Sequence, residues 1–202
     1  MATSNIHEQD GTAVNAVGHH HEETFFSKYI FSLDHKMIGK QFLITGMAWA
    51  IIGGLFSVLF RVQLAWPDET FPMLETLFSN WFDGGKLTTE AYYALITMHG
   101  TIMVFFVLTA GLSGTFANIL IPFQLGARDM ASPLMNAISY WLFVLASIIM
   151  LASIFLPTGM ASAGWTIYPP LSILPQASPG SGMGMTLWIT SMAIFIASQL
   201  IG

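Results

Sequence analysis

The chain has no cysteine, which excludes a disulfide framework, thiolate metal sites and cysteine nucleophiles together. Charge is almost as scarce. Only 8% of the 202 residues are Asp, Glu, Lys or Arg, against about a quarter in a soluble domain. So few charges cannot cover a protein surface, and a compact aqueous enzyme is excluded. The six Lys and Arg are outnumbered by eleven Asp and Glu, which leaves no basic face for nucleic acid. What the chain does have is apolar: 54% hydrophobic residues, with thirteen Met and sixteen Phe. Most of it is expected to face lipid or other apolar protein.

The pattern along the chain predicts an all-α membrane protein with four spans. A span needs about 20 apolar residues at 1.5 Å rise each. Runs of that kind cover residues 38–61, 91–121, 134–156 and 183–202. Residues 33–202 therefore read as a transmembrane helical bundle. Residues 1–32 read as a polar cytoplasmic tail without the apolar core of a cleavable signal peptide. The tail carries His19, His20 and His21. A solvated tract is favoured over a metal site there, because adjacent histidines in a floppy segment have no fixed geometry.

Charges in the connections predict the orientation. Lys28, Lys36 and Lys40 precede the first span, which puts the N-terminus on the cytoplasmic side by the positive-inside rule. The loop from Val62 to Glu90 sets Asp68, Glu69, Glu75, Asp83 and Glu90 against Lys86 alone and is expected outside. Arg128 and Asp129 return inside. The uncharged loop from Pro157 to Gly182 lies outside again. Trp66, Trp81 and Trp165 all fall in the outer loops, where interfacial aromatics belong.

Few residues within the spans can carry chemistry. His99 is the ionisable residue in the apolar body of the second span, and such a residue needs a partner inside the bundle. Neutral imidazole suits iron, copper or zinc, while a single hydrogen bond to a neighbouring helix is the structural alternative. Gly39, Gly46 and Gly53 recur every seven residues on one face of the first span. They would admit another helix or a flat macrocycle, helix packing being the commoner cause. Arg61 is expected to end this helix, either anchoring an anionic or carbonyl group or snorkelling at the interface. Asp129, flanked by Asn118, Asn136 and Ser139, could head a file of water for protons. The alternative is a loop acid paired with Arg128 near a helix start.

Several ordered motifs then resemble one family. Leu33-Asp34-His35-Lys36-Met37-Ile38-Gly39, Met98-His99-Gly100 with Phe105-Phe106, and Gly126-Ala127-Arg128-Asp129-Met130-Ala131 followed by Pro133 and Asn136 are similar to subunit I of the haem–copper oxidases. Gly164-Trp165-Thr166-Ile167-Tyr168-Pro169-Pro170-Leu171 is the most specific match. The resemblance runs from about Leu33 to Gly202 and implies a bundle of about twelve helices, each satisfying its own backbone in lipid. It implies that His99 is an axial ligand of the low-spin haem and that Arg61 bonds that haem's formyl group. Trp165 and Tyr168 would be cofactor-binding residues of the outer loop, Trp165 beside a propionate. Asp129 would be the proton intake, with Asn118, Asn136 and Ser139 lining its path.

The resemblance further implies a low-spin haem a, with a second, high-spin haem and a copper ion bound mainly by residues absent from this chain. The residues that reduce oxygen follow the fourth span in that family. These 202 residues are therefore expected to be the N-terminal part of subunit I. Expected partners are the rest of subunit I, a copper-containing subunit II, subunit III and cytochrome c or a c-type cytochrome domain. The expected location is a bacterial cytoplasmic membrane. A non-redox transporter or assembly anchor, in which His99 is merely packed, is the rival class. Another haem–copper relative, such as a quinol oxidase or nitric oxide reductase, is the third.

Some positions depart from the family pattern. Arg128 stands where Pro is common and is expected to pair with Asp129. Ala137 replaces a second Asn, and Phe42 a Tyr. Gln63 replaces a Glu that helps bind calcium or sodium, so that ion is not expected. The quinol-oxidising branch has Arg, Asp, His and Gln where this chain has Ile52, Phe56, Ala91 and Ala94, which favours cytochrome c as donor.

Overall fold

The computed structural model describes residues 25–157, 159–178 and 182–202. The polar segment up to Glu23, with its three consecutive histidines, lies outside the described residues. Just after it comes a short helix, α1 (Phe25–Tyr29), inside the stretch read as tail. This end is tied to the bundle. Gln41 Nε2 donates to the Tyr29 and Ile30 carbonyls, at 2.7 and 2.9 Å, and the Phe31 ring stacks on Trp141.

Among the described residues four helices are long and apolar enough to cross a membrane: His35–Ala65, Thr89–Leu125, Pro133–Ile154 and Gly182–Ile201. The first is α2 (His35–Ala65). It starts before the apolar run because Asp34 caps it, its side chain accepting the Lys36 N–H at 3.2 Å. A carboxylate satisfies an otherwise unpaired N–H of the first turn. The helix then continues past Arg61 to Ala65, so Arg61 does not end it as expected. It stands on a helical turn with its guanidinium 5.3 Å over the Phe60 ring.

The connection to the second span holds a helix, α3 (Pro72–Leu77), and a hairpin, β1 (Phe82–Asp83) with β2 (Lys86–Leu87). The period of the sequence hides this small antiparallel ribbon, but its turn chemistry is plain. Gly84 and Gly85, at φ 59° and 77°, form the two-residue loop, a left-handed geometry that glycine adopts without steric cost. Gln63 docks the ribbon on α2 by accepting the Leu87 N–H at 2.9 Å.

The second span is continuous from Thr89 to Leu125 but changes its winding. It begins as α4 (Thr89–Thr101), widens into a π-helical segment (Ile102–Ser113) and resumes as α5 (Gly114–Leu125). In the wide segment the Thr109 and Ser113 hydroxyls donate to the Val104 and Leu108 carbonyls, five residues back. The span outlasts its expected end and runs through Pro122 until Gly126, at φ 65°, closes it. Glycine in this conformation is the usual helix terminator. The remaining spans are α6 (Pro133–Ile154) and α7 (Gly182–Ile201).

The glycine stripe is used for helix packing. A Cβ on Gly46 would lie 2.6 Å from the Gly111 Cα, and one on Gly39 would lie 3.1 Å from the Asn118 Cβ. At Gly53 it would meet Ile102 Cγ2 at 2.9 Å. The two backbones thus touch, which small residues permit in a bundle that gains nothing from excluding lipid. Gly54, beside the stripe, meets no other helix or loop within 4 Å of its virtual Cβ among the described residues. Deeper in the bundle Phe42, Phe106, Phe143 and Phe195 are buried against one another. Hydroxyls lock the last two spans together: Ser191 donates to the Ala146 carbonyl and Ser198 to that of Ser139, each at 2.7 Å. Ile44, Ile51 and Leu55 stay exposed on α2. An apolar outer face of this kind fits a helix surrounded by lipid or further helices. The protein is an integral membrane protein built as a helical bundle.

Candidate functional site

The candidate residues gather at two ends of the bundle. At one end, His99 Nδ1 lies 2.8 Å from the Gly53 carbonyl oxygen. A carbonyl only accepts, so Nδ1 carries the hydrogen and the Nε2 lone pair is left open. Nε2 has no hydrogen-bond partner among the described residues. Orientation of one ring nitrogen by a backbone carbonyl is how metal-binding histidines are commonly held. The Phe60 ring packs edge-on at 5.9 Å from the imidazole and carries Arg61 on its face.

One turn beyond Gly53, the Ser57 hydroxyl is buried without a hydrogen-bond partner among the described residues. An open imidazole nitrogen on α4 and an unclaimed hydroxyl on the adjoining α2 are compatible with one side of a haem. They do not make a complete metal site. Among the described residues no group of three His, Cys, Asp or Glu is placed to hold a metal ion.

The loop between α6 and α7 backs the turn that carries His99. A Cβ on Gly100 would come 3.1 Å from Trp165 Cδ1, and the Gly164 N–H donates to Thr97 Oγ1 at 2.9 Å. Close approach of the indole therefore requires glycine beside His99. The loop is also conformationally strained, with Ile167 at φ 51°, a region that β-branched residues avoid. Tyr168 is different. Its side chain is 73% exposed, so the structure brings Trp165, and not Tyr168, against the His99 helix.

A second link runs one turn deeper. Trp188 Nε1 on α7 donates to Thr101 Oγ1 at 2.9 Å, and Thr101 in turn donates to the Thr97 carbonyl at 2.8 Å. The two threonines thereby tie the loop and the fourth span to one face of α4. Threonine in a helix is often read as filler, and the sequence offered no signal for this role.

At the other end, Asn118, Asn136 and Ser139 come together. Asn136 Nδ2 donates to Asn118 Oδ1 at 2.5 Å, Asn118 Nδ2 donates to the Gly114 carbonyl at 2.8 Å, and Ser139 Oγ donates to the Asn136 carbonyl at 2.8 Å. All three residues are buried. They line a cavity of about 130 Å³, together with Ser198 and Gln199 of α7. A water needs only about 10–15 Å³ of such space and a few polar partners, so the cavity has room for several. Ser198 and Gln199 went unnoticed in the sequence because single polar residues in an apolar run carry no period.

Asp129 stands outside this cavity with its side chain 47% exposed. Its neighbour Met130 forms part of the cavity wall. The expected pairing with Arg128 is not made. Instead Asp129 Oδ1 accepts from His35 Nδ1 at 2.9 Å and from the Met130 N–H at 2.7 Å. His35 opens α2 and its side chain is 6% exposed. The sequence places it inside a matching motif, but nothing local announces a partner 94 residues away. At Phe42, where the family pattern has a Tyr, the ring is buried and meets Tyr140 at 5.2 Å, while the Tyr140 hydroxyl bonds Thr45 Oγ1 at 3.1 Å.

Comparison with known proteins identifies the family. Residues 37–202 match the family described as cytochrome c and quinol oxidase polypeptide I. The chain is 37% identical over 183 residues to the alternative cytochrome c oxidase subunit 1 of Bradyrhizobium diazoefficiens, covering 91% of this chain and 28% of that protein. It is 39% identical over 171 residues to the haem–copper oxidase subunit I+III of Aeropyrum pernix, covering 85% and 18%. It is 36% identical over 191 residues to cytochrome c oxidase subunit 1 of Synechocystis, covering 94% and 30%. The chain spans under a third of the length of these relatives. With four apolar helices and matching motifs along nearly the whole described bundle, this chain belongs to the cytochrome c and quinol oxidase polypeptide I family of haem–copper oxidases.

Proposed function

We propose that the chain is the N-terminal segment of the catalytic subunit of a respiratory oxidase that passes electrons from cytochrome c to oxygen and pumps protons. The observation that carries this reading is the division of labour along one long span. His99 sits at one end with Nε2 open and Nδ1 held by Gly53. Asn118 sits toward the other end beside a polar cavity.

In this reading His99 Nε2 would ligate the iron of a low-spin haem a, and Arg61 would donate to the haem periphery. Trp165 closes the side of the His99 turn, with Tyr168 further out in the same loop. When bound, haem supplies one-electron redox chemistry, while the protein contributes ligation, orientation and electrostatics. The rest of subunit I would supply the other ligand of that iron and would hold most of the high-spin haem and the copper ion. Subunits II and III and cytochrome c are the proposed partners.

At the other end Asp129 takes up protons with His35 as its buried hydrogen-bond partner. Asn118, Asn136 and Ser139 order the water that carries them inward. Lys28 before α2, with Lys36 and Lys40 in its first two turns, supports a cytoplasmic position for this end in a bacterial inner membrane. Cytochrome c is favoured over quinol because Phe56, Ala91 and Ala94 are buried in an apolar cluster with Trp81, with no polar group from those positions to meet a quinone.

The test is to reconstitute the purified complex into liposomes, supply reduced cytochrome c, and record oxygen consumption with external acidification. Haem-bearing complex that consumes oxygen and acidifies the medium is the expected result. Colourless protein would establish the non-redox reading, and activity with quinol alone would overturn the choice of donor.

A further inference from the structure

Beside the mouth formed by His35 and Asp129 lies a groove of about 630 Å³ between the start of α2 and the end of α5. Its walls divide by chemistry. Lys36, Lys40 and Arg128 form one part, and Ile119, Leu120 and Phe123 form the other. Lys36 and Lys40 are one turn apart and share a helix face. Among the described residues none of the three cations has a carboxylate within 4.0 Å, since both ion pairs found there belong to His35. The apolar side is equally open: Ile119 is 41% exposed, Leu120 43% and Phe123 82%.

Three uncompensated cations in a soluble cleft would suggest a free anion. Here they border an apolar wall at the end of two membrane spans. That pairing is complementary to a molecule that is anionic at one end and hydrocarbon at the other. We infer that this groove binds one anionic phospholipid of the adjoining leaflet. The headgroup phosphate lies among Lys36, Lys40 and Arg128, and an acyl chain runs along Ile119, Leu120 and Phe123. Basic pockets at the cytoplasmic ends of spans recognise such headgroups through charge that water screens only partly. The inference rests on membrane insertion and on this groove, not on proton transfer through Asp129.

The test uses the intact complex in phosphatidylcholine nanodiscs, titrated with dioleoyl-phosphatidylglycerol and read by native mass spectrometry. One tightly retained phosphatidylglycerol is expected in the wild type. Affinity should fall about fivefold for each cation removed in K36Q, K40Q and R128Q. K36R/K40R should keep it, which separates lost charge from lost fold. Rising salt should weaken binding, because exposed charges are screened over about 10 Å at 0.1 M. D129N should retain the lipid, so failure of the proton-intake reading and failure of this one are distinguishable. Unchanged affinity in all three glutamine variants, equal retention of phosphatidylcholine, or displacement by millimolar inorganic phosphate would each overturn it.

Discussion

His35 and Asp129 meet at 2.9 Å although 94 residues separate them, one at the first turn of α2 and the other in the loop before α6. The histidine is buried while the acid is half exposed. The contact therefore joins an acid that reaches water to a group that does not.

Replacing Asp129 by Asn removes the exchangeable carboxyl proton but keeps the shape. Turnover and proton pumping are expected to fall on the order of a hundredfold, the scale of a lost proton-transfer group. Haem content should stay intact, since Asp129 follows the end of the second span and His99 lies near its start. Oxygen-electrode rates beside the optical spectrum measure both, and unaltered turnover would remove Asp129 from the proton pathway.

Substituting His99 by Ala should abolish the low-spin haem signal while leaving assembled apoprotein. Gly53 would then lose only one hydrogen bond, typically about 0.5–1.5 kcal/mol. Redox difference spectroscopy decides it. A low-spin band of normal height in this variant is incompatible with ligation by His99.

Arg61→Met should displace the low-spin haem's absorption band without loss of haem. The guanidinium packs over Phe60, which itself contacts the His99 ring, so Lys should restore the charge but not the planar donor geometry. An identical spectrum in the Met variant counts against contact with the haem.

Thr101→Val keeps the shape of the side chain but leaves Trp188 Nε1 without its acceptor. An unsatisfied buried donor costs about 1–3 kcal/mol, which should lower the thermal midpoint of the purified complex. A midpoint equal to wild type would mean that the indole finds another partner.

The sequence made the four spans legible because each satisfies a simple length rule in lipid. It also grouped Asn118, Asn136 and Ser139 about Asp129, the last two through their i, i+3 spacing on one helix face. What stayed hidden depends on tertiary contact. Arg128 looked like the partner of Asp129 because it is adjacent, yet the loop turns Asp129 toward His35 instead. The end of α2 was misjudged at Arg61 because a charge resembles a boundary, whereas the helix needs only a free backbone to continue to Ala65. The hairpin carried a readable Gly84-Gly85 signal, but its strands are two residues each, too short for alternation to appear. The π-helical winding of Ile102–Ser113 has no periodic signature in so uniformly apolar a stretch.

Gly39, Gly46 and Gly53 oppose Asn118, Gly111 and Ile102 in antiparallel order, and the last of them also holds His99 through its carbonyl. The stripe is therefore a ruler shared by two trades. One end indexes the imidazole and the other indexes the buried amides, while the middle rung is bare backbone against bare backbone. Sliding the two helices by a single notch would misalign both ends at once. Residues with no side chain, and no chemistry of their own, thus make the placement of the imidazole and that of the buried amides a single inherited quantity.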